Sequence, residues 1–145
     1  MTAKEAKELL SFHSCRNENV DDPRWENGFL GSLRPFKGRL DRRSLDEVIE
    51  CLRALREETA FSEIDRTIVS DMANIIWLGK AWAGNELTNE QKIYLKTWID
   101  IIEECWFWLL DAADDETAFL PYREYLEGKT LYGETVYLDG KRTFI

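Results

Sequence analysis

Two pairs of polar side chains have the spacing a divalent cation needs. Glu47 and Glu50 stand three apart, and Asp71 and Asn74 repeat that interval after a gap of about twenty residues. Acidic residues one turn apart on two packed helices can hold Mg²⁺ for phosphate chemistry. Little else of that kind is present. His13 is the single histidine, which excludes multi-histidine metal sites and the doubled Glu-x-x-His of di-iron carboxylate proteins. The glycines Gly28 and Gly31 lack the lysine and preceding strand of a phosphate loop. Ser14, Ser32, Ser44, Ser62 and Ser70 show no nucleophile elbow. We therefore expect neither a catalytic residue nor a cofactor, with Glu47, Glu50, Asp71 and Asn74 as the alternative metal site.

That quartet resembles the all-helical nucleoside-triphosphate pyrophosphohydrolases of the MazG type, which use Glu-x-x-Glu followed by Glu-x-x-Asp. The resemblance is one of spacing. At the second pair this chain has Asp for Glu and Asn for Asp, which removes charge that a metal requires. It implies, as an alternative function, a Mg²⁺-dependent pyrophosphohydrolase-like enzyme.

A second polar concentration lies nearer the start. His13, Arg16, Asn17, Glu18, Asn19, Trp25, Glu26 and Arg34 collect donors and acceptors in one irregular stretch. As a ligand site, Arg16 and Arg34 would grip a carboxylate or phosphate through their guanidinium forks, with Trp25 stacked on it. That makes a small-anion binder a further alternative. As structure, the same groups would cap helices and satisfy loop backbone. The run Asn17-Glu18-Asn19, followed by Trp25-Glu26-Asn27-Gly28-Phe29-Leu30-Gly31-Ser32-Leu33-Arg34-Pro35-Phe36, resembles a bacterial family of helical proteins without assigned function. The resemblance falls within the first third of the chain, about residues 17–36, and implies no activity.

The elements that would position these groups follow from periodicity. Thr2 with Glu5, Ser44 with Glu47 and Thr88 with Gln91 each read as a capping box opening a helix. The first helix is expected to run to Ser11. The second starts at Ser44, with Leu45, Val48, Ile49, Leu52 and Leu55 as its apolar stripe. The third spans Ser62 to Gly84, the fourth Thr88 to about Ala113, and a fifth Glu116 to Glu127, with Pro121 as its alternative start. Residues 12–43 keep no helical period, yet Phe12, Trp25, Phe29, Leu30, Leu33 and Phe36 predict a packed, ordered loop. Asp139-Gly140 between Val136-Tyr137-Leu138 and Thr143-Phe144-Ile145 predicts a β-hairpin over 134–145. The expected fold is thus mainly α: one domain over 1–145, a helical bundle of four to five helices with a long ordered N-terminal loop and a small C-terminal β-hairpin.

Cys105-Trp106-Phe107-Trp108-Leu109-Leu110 is apolar at six consecutive positions. At about 100° per residue these point all round the fourth helix. Phe107 falls on its polar side, and Trp77 does the same on the third helix. An exposed aromatic among charges usually covers something, so Trp77 and Phe107 are expected at an interface, in a homodimer.

The 145 residues carry 19 basic and 28 acidic side chains, a net charge of −9. Such a chain repels phosphate backbones, which argues against nucleic acid as a partner. The charge is uneven: residues 12–43 are net +2 and residues 44–145 net −11. Three widely spaced cysteines without a Cys-x-x-Cys suit a reducing compartment. The opening Met1-Thr2-Ala3-Lys4-Glu5 lacks the apolar core of a signal peptide, and no run is long enough to span a bilayer. These features predict a cytoplasmic protein with no membrane partner. The leading expectation is a non-catalytic bacterial protein-interaction module with a protein partner. It resembles the immunity-protein type in size, acidity and helicity.

Overall fold

The computed structural model describes residues 1–128 and 138–145. It is mainly helical, with α1 (Ala3–His13), α2 (Pro23–Glu26), α3 (Arg43–Ala54), α4 (Arg56–Thr59), α5 (Arg66–Ala81), α6 (Asn89–Leu110), α7 (Asp115–Ala118) and α8 (Leu120–Leu126). The four long helices make the bundle. α1 packs on α3 and α5, and α6 packs on the same two from the other side. α4, α7 and α8 close over α6. No helix among the described residues is long and apolar enough to cross a membrane.

Two of the three expected capping boxes form. The Thr2 hydroxyl accepts from the Glu5 amide at 3.1 Å and the Glu5 carboxylate accepts from the Thr2 amide at 2.9 Å. Thr88 and Gln91 repeat the exchange at α6. The third box, at Ser44, does not form. The Asp41 carboxylate takes the Arg43 amide at 3.0 Å, and the Ser44 hydroxyl turns back to the Asp41 carbonyl. α3 therefore starts one residue early without a side-chain cap at Arg42. α5 likewise starts at Arg66, capped by Asp65, rather than at Ser62. The expected fifth helix is broken in two, because Pro121 lacks an amide proton and its ring clashes with the carbonyl four residues back.

Both α1 and α6 end in Schellman motifs built without glycine. Cys15 (φ 59°) and Ala112 (φ 55°) occupy the left-handed position. In α1 the Arg16 amide donates to Ser11 O and Cys15 to Phe12 O; in α6 Ala113 donates to Trp108 O and Ala112 to Leu109 O. That is the 6→1 and 5→2 pairing of the motif, made at the steric cost a Cβ incurs there.

The C-terminal hairpin is a correction. Residues 134–137, its first arm, lie outside the described residues. The second arm pairs elsewhere: Leu40 and Ile145 exchange both amide–carbonyl bonds at 3.0 Å, and the Arg42 amide donates to Thr143 O at 2.8 Å. This is an isolated antiparallel bridge, Asp41 to Phe144, and no sheet forms among the described residues. Neither Asp139 nor Gly140 has the positive φ that a type I′ turn demands. Gly140 is needed for a different reason. A Cβ there would stand 1.9 Å from the Tyr125 carbonyl oxygen.

The core is one hydrophobic cluster drawing on every long helix, with Trp98 its largest fully buried side chain. The Trp98 indole donates to the Tyr125 hydroxyl at 2.9 Å, so the buried N–H is satisfied. The Tyr122 hydroxyl donates to Asp46 at 2.6 Å. Burial pushes the Tyr125 phenol up to about 12, and burial with the Asp46 carboxylate pushes Tyr122 up as well. Cys51 and Cys105 are buried, and burial raises both thiols to about 12; Cys15 rises to about 11 for the same reason.

Two predictions follow from the backbone and the phenols. Ala112→Gly should raise stability by about 0.5–1 kcal/mol, whereas Gly140→Ala should lower it by about 2–3 kcal/mol, both read from urea unfolding. A raised folded pKa stabilises below the unfolded value, near 10, and that stability drains as pH climbs. Unfolding free energy should therefore begin to fall above pH 9, where the unfolded thiols lose protons that Cys15, Cys51 and Cys105 keep when folded, and fall further between about 10 and 12 as Tyr125 adds its share. Tyr125→Phe should shrink that fall in a pH series of urea titrations.

Candidate functional site

Asp71 sits on the apolar seam of α5 between Ile68, Met72 and Ile75, where a carboxylate needs partners. It is 1% exposed. Arg16 supplies a two-pronged grip, Nε to Oδ1 at 2.6 Å and Nη2 to Oδ2 at 2.9 Å, and the Ser14 hydroxyl donates to Oδ1 at 2.8 Å. The left-handed turn at Cys15 swings Arg16 over this carboxylate. Asn17 belongs to the same knot: its amide proton goes to Ser11 O, its side chain donates to Ser11 Oγ at 3.0 Å, and its Oδ1 receives the Asn19 amide. Glu18 and Asn19 are exposed beside it. Arg16 and Asn17 thus close the end of α1 and pin it to α5.

His13 is 1% exposed. Its Nδ1 accepts the Phe29 amide at 2.9 Å, which places the proton of the neutral ring on Nε2. Nε2 lies 3.0 Å from Oε2 of Glu47, but without an aligned hydrogen bond. We read the contact as electrostatic for that reason. Glu47 is half exposed and lines the hollow between α2 and α3.

The four alternative metal ligands are not drawn together. Glu47 faces His13, Glu50 pairs with Arg53 at 3.0 Å, and both oxygens of Asp71 are held by Arg16. Asn74 is half-buried on α5. Among the described residues no three His, Cys, Asp or Glu side chains cluster as metal ligands would.

The remaining expected ligand residues are dispersed. Glu26 pairs with Lys37 at 3.4 Å. Trp25 is half-buried, with its indole nitrogen unpartnered among the described residues. Arg34 lies 5.5 Å over the Trp82 ring, in a separate cleft of about 350 Å³ that Pro35 and Phe36 also line. The polar stretch therefore serves several local sites, and Arg16 and Arg34 do not converge on one anion.

The two misplaced aromatics are brought to one face. Lys80 bridges α5 to α6 through Glu103 at 2.7 Å. Trp77 is one turn before Lys80 and Phe107 one turn after Glu103. The short connection over 82–88 makes the helices antiparallel, so both steps lead the same way. Trp77 is 70% exposed and Phe107 59%. Ala73 and Val69 continue the strip along α5, and Leu110 along α6, all exposed. Phe107 is braced edge-on by Trp108, ring centres 5.2 Å apart at 74°. Beside them a shallow hollow of about 460 Å³ is walled by Asp100, Glu103 and Glu104.

Compared with family models, curated proteins and solved structures, the chain matches none of them. The residues alone carry the functional argument.

The knot at Asp71 makes a measurable claim. Arg16→Ala leaves a buried carboxylate with one donor and should cost about 2–3 kcal/mol, whereas Arg34→Ala, at an exposed position over the half-buried Trp82 ring, should change stability by less than about 0.5 kcal/mol. Equal urea midpoints for the two variants would return Arg16 to the list of ligand candidates.

Proposed function

We propose that this chain is a non-catalytic protein-interaction module of the immunity-protein type, which docks a basic protein partner on the α5–α6 face. The observation that carries the reading is the pair Trp77 and Phe107, both more than half exposed on one face. Full burial of an aromatic side chain contributes about 1.5–3 kcal/mol, and Trp is prominent among residues that dominate protein interfaces. The rim selects the partner. Asp100, Glu103, Glu104 and Asp111 surround Phe107 on α6, and Lys80 is already paired with Glu103. A basic surface with an apolar centre complements this, and a net charge of −9 speeds its approach. A second copy would press one acidic rim against another, so the homodimer is the rival occupant. Free thiols at Cys15, Cys51 and Cys105 accord with a reducing cytoplasm.

The test is to capture the partner with the full chain, purify it, and titrate it against wild type, Trp77→Ala and Phe107→Ala, with light scattering of the chain alone. The expected result is a monomer that binds a basic protein. Each truncation should weaken binding at least about 30-fold, with an association rate that falls as salt rises. Unchanged affinity in both variants overturns the reading. So does a dimer that the same truncations dissociate, which would give the face to a second copy.

A further inference from the structure

At the C-terminal end of α5 lies the cleft of about 350 Å³ that Arg34, Pro35 and Phe36 share with Ala81, Trp82 and Glu86. Its lining holds one cation and one carboxylate. Among the described residues Arg34 has no carboxylate within ion-pair distance, Glu86 has no cation, and the two do not close on each other. The contrast is with Arg24 and Arg43, whose guanidinium groups are already taken by Asp22 and Asp41. Both charges of the cleft are thus uncompensated within the fold.

Both groups are also held in place. Leu33 and Phe36 pair across an isolated antiparallel bridge, so Arg34 and Pro35 form the tip of a tight turn. Leu33 belongs to the hydrophobic core, and Phe36 and Trp82 pack against it, which fixes the walls. The Arg34 guanidinium lies 5.5 Å over the Trp82 ring. A guanidinium stacked on an aromatic face keeps its N–H edge available and loses less freedom on binding. Glu86 comes from the connection after α5. Its carboxylate folds back over Gly84, where Oε2 lies 2.7 Å from the place a Cβ would take. The Gly84 amide donates to Trp82 O at 2.8 Å and the Leu87 amide to Gly84 O at 3.3 Å, so this turn is tied down. α5 ends at Trp82, and the partial negative charge of its last carbonyls adds to that of Glu86. The cleft therefore has a positive group, a negative group and an apolar wall of Pro35, Phe36 and Trp82.

We propose that this cleft binds a free α-amino acid with an apolar side chain. A carboxylate fills one guanidinium fork through two parallel N–H bonds, and Arg34 is the one guanidinium in the lining. An ammonium is a donor without an acceptor, and Glu86 with the end of α5 receives it. The rings take the side chain. A zwitterion carries no net charge, so a chain of net −9 does not repel it as it repels a phosphate ester. The volume stands at the small end of ligand pockets, which suits one amino acid better than an extended peptide. The cleft shares no residue with the α5–α6 docking face and does not rest on that reading.

The test titrates L-leucine into the full chain, read by heat and by the NMR signal of the Trp82 indole N–H, assigned through Trp82→Phe. Two analogues are titrated in parallel. N-acetyl-L-leucine lacks the ammonium and mimics a peptide C-terminus; L-leucinamide lacks the carboxylate. The expected result is saturable binding of leucine that shifts the indole signal, with both analogues at least about tenfold weaker. Arg34→Gln and Glu86→Gln, both at exposed positions, should each weaken leucine binding at least about tenfold at an unchanged urea midpoint. Arg66→Gln, at the opposite end of α5 and about 22 Å away, should bind as wild type. N-acetyl-leucine bound as tightly as leucine overturns the free amino acid and gives the cleft to a peptide C-terminus. Leucinamide bound as tightly as leucine overturns the carboxylate contact at Arg34. Absence of saturation, or equal losses in Arg34→Gln and Arg66→Gln, overturns the site.

Discussion

Helix α6 imposes the constraint on which the rest of the molecule depends. Its last turns carry six apolar residues in succession, and no single packing surface covers a helix that is apolar all round. The structure answers with many surfaces. α3 and α5 flank α6, and α4, α7 and α8 cover more of it. Cys105, Trp106 and Leu109 are buried and Trp108 is half-buried. These three short helices are thus explained in part by what α6 would otherwise expose. What stays uncovered is the line through Phe107 and Leu110, and it meets the line through Trp77 across the Lys80–Glu103 bridge. The face proposed for docking is thus the remainder of a packing problem.

The irregular stretch between α1 and α3 solves a different problem. Backbone outside regular structure must find partners of its own when it is packed down. Here the polar side chains supply them: His13 for the Phe29 amide, Asp22 for Arg24, Asn17 for Asn19, Asp41 for Arg43. Arg16 and Ser14 neutralise the Asp71 carboxylate on the seam of α5. A composition that looks like a binding site is largely consumed by the fold. The cations that stack on rings share this duty: Arg24 pairs with Asp22 and Arg43 with Asp41.

How much of this was legible in the sequence depended on how local the cause was. The boxes at Thr2 and Thr88 were legible because four consecutive residues contain the whole interaction. The box at Ser44 misled, because Asp41, three positions upstream, took over the turn. The helix ends at Cys15 and Ala112 carried no glycine signal, so only the backbone reveals them. Asp139-Gly140 opens a turn that the Arg142 amide closes on the Asp139 carbonyl, but without the positive φ of a hairpin turn, and its glycine answers a close approach to Tyr125. The pairing of Leu40 with Ile145 joins segments about a hundred positions apart, and nothing local announces it. Asp71 offered a usable signal in retrospect: a carboxylate on an apolar stripe calls for a distant cation, though not for Arg16 by name. The Arg39 and Arg43 pairing on Phe144 had no such signal, because it needs that same long-range bridge to bring the ring across.

The α5–α6 face and the hollow before α3 also differ in the reach of their electrostatics. Charge on the α5–α6 face agrees in sign with the molecule as a whole, so its field adds to the net −9 and reaches beyond the surface. The hollow before α3 differs: Arg24, Lys37 and Arg43 on its wall each meet a carboxylate, Asp22, Glu26 and Asp41, within 3.4 Å, so charge there is matched locally and its field dies within a Debye length, about 8 Å at physiological salt. The positive excess of the chain before α3 is thus spent inside the fold, and the negative excess after it is left facing outward.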